Sequence, residues 1–199
     1  MIVTLATHWW RVSTQPWTTT FKTAISGKSH LRTFVGVAIG ALIGLLLSWL
    51  TYLLVGPPHQ QFMGLASIWV KSGTPPPIGT WAVIVPCGVL YGFYTFQIVL
   101  FIVARLLGGK GSFGAQSYVQ SLFYAPLSMV QQVLAVIPVA GRLLFALLAV
   151  YSLLLTTTSL KAAHGYSTWR AVLTWVIPIL LNILIFMTIV LLVSTRAHY

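Results

Sequence analysis

Apolar residues gather in five long runs, 34–55, 81–104, 115–137, 139–155 and 171–193, and all but one of the charged residues lie in the stretches between them. A helix crosses the hydrocarbon core of a bilayer with about 20 apolar residues, at about 1.5 Å of rise each. The pattern predicts an all-α polytopic membrane protein with five transmembrane helices. Run four is the shortest, and only Pro138 and the Gly141-Arg142 pair part it from run three. Runs three and four therefore either cross as a tight helical hairpin or dip into the bilayer and return on the same side.

The third run is also the most polar, carrying Gln116, Gln120, Tyr124, Gln131 and Gln132. Gln116, Gln120, Tyr124 and Ser128 recur at every fourth position and so share one helical face. Such a stripe belongs against protein. It either bonds neighbouring helices, at about 0.6 kcal/mol per pair on average, or joins Gln131 in lining a polar path. Gly36, Gly40 and Gly44 in the first run, and Gly88 and Gly92 in the second, repeat at the same spacing. They predict helix-packing faces on which backbones approach closely, within the chain or against another. Pro86, Pro126 and Pro178 fall inside runs and favour kinks.

Residues 1–32 read as a cytoplasmic segment ahead of a membrane domain at 33–199. Pro16 suits the first turn of a short helix and Gly27 the position past its end. Trp17, Phe21, Ala24 and Ile25 share a face, with Lys22, Lys28 and Arg32 nearby. This combination predicts an amphipathic helix anchored in the membrane interface, with docking onto protein as the alternative. The first apolar run is a full span and not the short core of a cleavable signal, so the segment is expected to stay attached. In the connection 56–80, Phe62, Leu65, Ile68 and Trp69 suggest a short interfacial helix or a partner contact. Trp49, Trp81, Trp169 and Trp175 sit near run ends, as an aromatic belt would.

Composition changes the functional picture. The chain has no aspartate or glutamate and eleven lysines and arginines. Carboxylates are the commonest general acids and bases, the usual intramembrane proton carriers and the preferred ligands of Mg²⁺ and Ca²⁺. Their absence points away from an enzyme and leaves binding, anchoring and scaffolding. Arg11, Lys22, Lys28, Arg32, Arg105, Lys110, Lys161 and Arg170 fall on one side of the predicted crossings, and Lys71, Arg142 and Arg196 on the other. The positive-inside rule then gives a cytoplasmic N-terminus and, with five crossings, an external C-terminus.

Cofactor chemistry finds few candidates. His8, His30, His59, His164 and His198 all read as terminal or connecting residues, so no haem or chlorophyll is expected to be liganded by this chain. Cys87 is the sole cysteine, which excludes an internal disulfide and a cysteine-cluster metal site. Contact with lipid, quinone or carotenoid stays open. Asn182, inside the fifth run, is expected to bond a neighbouring helix. The glycines of 107–112 lack the interval and strand context of a phosphate-binding Walker loop and read as a flexible connection.

Gly108-Gly109-Lys110-Gly111-Ser112-Phe113, Tyr124-Ala125-Pro126, Ile137-Pro138, Gly141, Tyr151, and the stretch from Leu160-Lys161-Ala162-Ala163-His164-Gly165-Tyr166-Ser167 to Arg170-Ala171 resemble, in order and spacing, the bacterial Yip1 domain. The resemblance covers Arg105 to Ala171. It implies a five-span, non-enzymatic membrane protein with a cytoplasmic N-terminus. Eukaryotic members of that family are linked to small GTPases and vesicle traffic and commonly carry a soluble acidic N-terminal region, which has no counterpart here. The short basic N-terminus and compact connections favour a prokaryotic inner membrane.

Three functions follow as expectations. The first is an accessory or scaffold subunit packed against a larger membrane complex, such as a respiratory or photosynthetic assembly. A second is a small facilitative transporter or channel built on the glutamine stripe. The third is an autonomous lipid-organising protein. Expected partners are membrane lipids, anionic ones included, and other membrane subunits; nucleic acid is not expected.

Overall fold

The computed structural model describes residues 2–55, 78–134 and 140–196. The described residues form seven helices: α1 (Ile2–Thr14), α2 (Thr18–Ile25), α3 (His30–Val55), α4 (Ile78–Leu106), α5 (Phe113–Leu134), α6 (Ala140–His164) and α7 (Thr168–Arg196). Of these, α3, α4, α6 and α7 are long and apolar enough to cross a membrane by length and composition, which makes the chain a multi-pass membrane protein. The interfacial helix expected around Phe62 to Trp69 and the break at Pro138 lie outside the described residues.

Helix α5, the polar third run, is the central element. It packs against α3, α4 and α6 and against the N-terminal helices α1 and α2. Every residue from 115 to 123 is buried. A helix hydrophobic on one stripe needs one partner face; one with glutamines on a further face needs partners all round. That requirement explains its interior place.

The N-terminal segment is more structured than the sequence suggests. Helix α1 carries no turn signal that marks it off and was not expected, yet it packs on α5 and places Val12 in the core. Helix α2 starts two residues after Pro16, which lies in the connection before it and not in its first turn. The Phe21 ring is fully buried and meets Phe123 edge to face, with centroids 6.1 Å apart. Ala24 is buried beside it. Phe21 therefore does not serve as a lipid anchor; the apolar face of α2 finds an aromatic protein surface that encloses it. Trp17, Lys22, Lys28 and Arg32 do face outward. Tyr151 ties the segment down by donating its hydroxyl to the Ser13 carbonyl at 2.7 Å.

The glycine faces divide. Gly36, Gly40 and Gly44 are buried, and α3 packs on α5 there, with Gly40 facing Ala125. Gly88 and Gly92 instead look into open space, with no atom from beyond their own helical backbone within 4 Å of where a β-carbon would stand among the described residues. The expected packing face on α4 is thus not a contact within the described chain.

Helix α7 rests on α4 and α6 near its start and then departs. Only 11% of Thr168–Leu191 is buried, and every residue from 179 to 191 is exposed. Asn182 lies in that exposed stretch and makes no hydrogen bond to another helix among the described residues, contrary to expectation. Among the described residues the bundle is thus tightly packed around the α4–α5 and α6–α7 connections and open along the later part of α7.

Candidate functional site

The packed end is built on two short connections, 107–112 and 165–167, that lie against each other. Helix α4 stops in a Schellman turn: the Gly108 N–H donates to the Arg105 carbonyl at 3.0 Å and the Gly109 N–H to the Ala104 carbonyl at 2.8 Å. Gly108 takes φ +83°, a left-handed conformation that side-chain-bearing residues resist. Helix α6 stops in the related single-bond form, Gly165 N–H to the Lys161 carbonyl at 3.0 Å. Ser112 then caps α5, its Oγ accepting the Ala115 N–H at 3.2 Å.

His164 joins the two connections. Its carbonyl accepts the Lys110 N–H at 3.3 Å, and its Nδ1 accepts the Gly111 N–H at 3.2 Å. A β-carbon at Gly109 would stand 2.7 Å from the His164 Nδ1, and one at Gly111 would collide with the Ala163 carbonyl. Both glycines are needed for the chain to pass. The connection expected to be flexible is consequently pinned, because each of its backbone donors from 108 to 111 has a partner.

On its other side the imidazole enters the polar stripe. Gln116 donates from Nε2 to the Gln97 carbonyl at 3.0 Å and to the Gln97 Oε1 at 2.9 Å. This leaves the Gln116 Oε1 facing the His164 Nε2 at 2.8 Å. An Nδ1 that accepts an N–H and an Nε2 that must donate assign the neutral Nε2–H tautomer. Gln97, Gln116 and His164 are all buried. One turn along α5, Gln120 donates to the Ser159 Oγ on α6 at 3.0 Å. The next two stripe positions behave differently: Tyr124 is partly exposed and packs on Phe93, and Ser128 bonds the Ala125 carbonyl of its own helix. Gln131 is half-buried on the same helix.

Aromatic rings complete the junction. The Tyr166 ring stacks on His164, 5.4 Å between centroids and 7° from parallel. Thr174 gives its proton to the Arg170 carbonyl, so the Tyr166 hydroxyl donates to the Thr174 Oγ1 at 2.8 Å. Burial pushes the Tyr166 hydroxyl above the ordinary tyrosine range, which keeps it a neutral donor. Phe101 lies against His164 and Phe113 and carries the Arg105 guanidinium over its ring at 5.2 Å.

The matching of known proteins fits this arrangement. A family model described as the Yip1 domain matches residues 10–190. The chain belongs to the Yip1 domain family. The match takes in α2 to α6, the end of α1 and most of α7, well beyond the stretch from Arg105 to Ala171 whose motifs carry the resemblance. Within this Yip1 domain two of those motifs coincide with the junction: Gly108 to Phe113 and Leu160 to Ser167 are the two connections and the helix ends they serve. Neither a curated protein nor a solved structure matches the chain.

Sequence reasoning found Gln116 and Gln120 but missed their three partners, Gln97, Ser159 and His164. Gln97 is the one amide side chain in an apolar run and carries no periodic signal. His164 read as a connecting residue, whereas it is the last residue of α6 and is buried. Its place just before a glycine at a helix end was the available clue. No group of three or more metal-ligating side chains comes together among the described residues.

Proposed function

We propose that this Yip1 domain is a non-catalytic membrane scaffold or accessory subunit that works by packing against a larger membrane complex. One observation carries the reading: Gln116 and Gln120 of α5 are engaged in bonds to α4 and α6, while every residue of α7 from 179 to 191 is exposed among the described residues. Polar groups joined to each other in this way stabilise a fixed bundle and leave little for a substrate path. An apolar helical stretch left exposed in this way, with Asn182 in it, is what a neighbouring membrane helix would cover.

In this reading α5 also crosses. Its 22 residues extend about 33 Å, enough for the bilayer core, and it crosses sheathed by protein because it is too polar to face lipid. Five crossings with the basic junction inside give a cytoplasmic N-terminus and an external C-terminus, in a prokaryotic inner membrane. Purification in mild detergent through a tag on this chain should recover a partner at fixed stoichiometry. Recovery of the chain alone, from membranes where it is abundant, would reject the scaffold role. A reporter fused after Tyr199 should behave as external.

A further inference from the structure

The His164 junction gathers four cations that no side chain of this protein can neutralise. Arg105 ends α4, Lys110 follows it, Lys161 lies in the last turn of α6 and Arg170 in the first turn of α7. The junction fixes their relation. Arg105 donates to the Gly109 carbonyl at 3.3 Å, and an Arg170 nitrogen stands 3.5 Å from where a β-carbon on Gly108 would be, so both guanidiniums reach the same two-glycine turn. Lys161 spans the other connection, its Nζ donating to the Thr168 Oγ1 at 3.1 Å. Lys110 is held at its backbone by His164 and exposes its side chain. Like charges brought together by a rigid turn repel one another unless an anion joins them. With no aspartate or glutamate in the chain, that anion comes from outside.

The surroundings say what kind of anion. Leu106 is 81% exposed and Trp169 69%, and each adjoins one of the two arginines in sequence. A free ion has no use for them. A ligand with a phosphate at one end and acyl chains at the other matches both, since cations meet headgroups while Trp and Leu enter the boundary beneath. We infer that the turn between α4 and α5, with the first turn of α7, seats the phosphate of an anionic phospholipid through Arg105, Lys110, Lys161 and Arg170. Planar guanidiniums suit the phosphate oxygens, and the side chains provide the contacts, in place of the backbone cradle of a Walker loop. The inference rests on the chain being a membrane protein and does not depend on the scaffold role.

The test uses the full chain in non-ionic detergent, titrated separately with phosphatidylglycerol and phosphatidylcholine, with retained lipid counted by native mass spectrometry. The protein should prefer phosphatidylglycerol by about tenfold or more, as expected when each basic residue contributes severalfold. Arg105→Gln with Arg170→Gln should remove most of that preference, Arg170→Lys should keep the greater part, and Lys22→Gln with Lys28→Gln should leave it intact. Should the double variant fail to fold, Lys110→Gln, altered only at an exposed side chain, should still lower the preference severalfold. Inorganic phosphate is the second probe: displacement of the lipid by phosphate shows a seat that takes the headgroup alone, and lack of displacement shows that acyl contact contributes; both agree with the proposal. Equal retention of the two lipids, or an unchanged preference in the double variant, overturns it. So does tight binding of polyglutamate that depends on these arginines in a protein indifferent to phosphatidylglycerol, which would assign the patch to an acidic protein partner.

Discussion

Gly40 on α3 lies so close to Ala125 on α5 that a β-carbon on the glycine would stand 2.7 Å from the alanine's own. The closeness brings the two backbones together along the side of the central helix.

Enlarging this contact should therefore be costly. Gly40→Leu is expected to destabilise the protein by about 1–3 kcal/mol through overpacking. Gly88→Ala and Gly92→Ala, facing open space, should be neutral or gain up to about 1 kcal/mol of helix propensity. Thermal unfolding in one detergent compares the three; an equal loss at all of them would show that Gly88 and Gly92 also pack in solution.

The α2 face supplies a second contrast. Phe21→Ala removes a fully buried ring and should cost about 3–5 kcal/mol, with earlier proteolysis of the first thirty or so residues. Trp17→Ala should leave stability nearly unchanged, because the indole is 68% exposed. Were Phe21 a lipid anchor, its loss would weaken membrane attachment and spare thermal stability, the reverse outcome.

Much of this architecture was legible beforehand, for reasons that particular residues make plain. Long apolar runs mark α3, α4, α6 and α7, since hydrocarbon imposes length and composition together. The fourfold spacing of Gln116 and Gln120 marks an inward face on α5. What escaped notice depends on distance along the chain: Gln97 and His164 matter because folding brings them to Gln116 from 19 and 48 residues away. Helix α1 escaped because its polar and apolar residues acquire meaning only against α5. The bare stretch of α7 could not be told from a buried span, as both are equally apolar.

The imidazole clamp can be probed through hydrogen exchange. His164→Ala removes the acceptor of the Gly111 N–H and should speed exchange of that amide by an order of magnitude or more, about the effect of losing one or two kcal/mol of local protection. Exchange within α3 should stay as it was. Protection of Gly111 unaltered by the substitution would mean that the turn holds itself.

Replacing Gln116 by Leu should cost about 1–3 kcal/mol, because the buried Nε2–H of His164 loses its acceptor. Gln97→Leu should cost less, since Gln116 keeps the Gln97 carbonyl as a partner. Denaturation midpoints of the single variants and of the pair, set out as a double-mutant cycle, measure the coupling; additivity would show that the two amides act independently.

The bonds of α5 also bear on how the chain is made. Gln120 is satisfied by Ser159, and Gln116 by Gln97 and by His164. Two of these three partners are synthesised after α5 itself. During biogenesis the newly made helix leaves the ribosome with most of its hydrogen-bonding company still untranslated, so it settles among its neighbours only when α6 has emerged to the last turn.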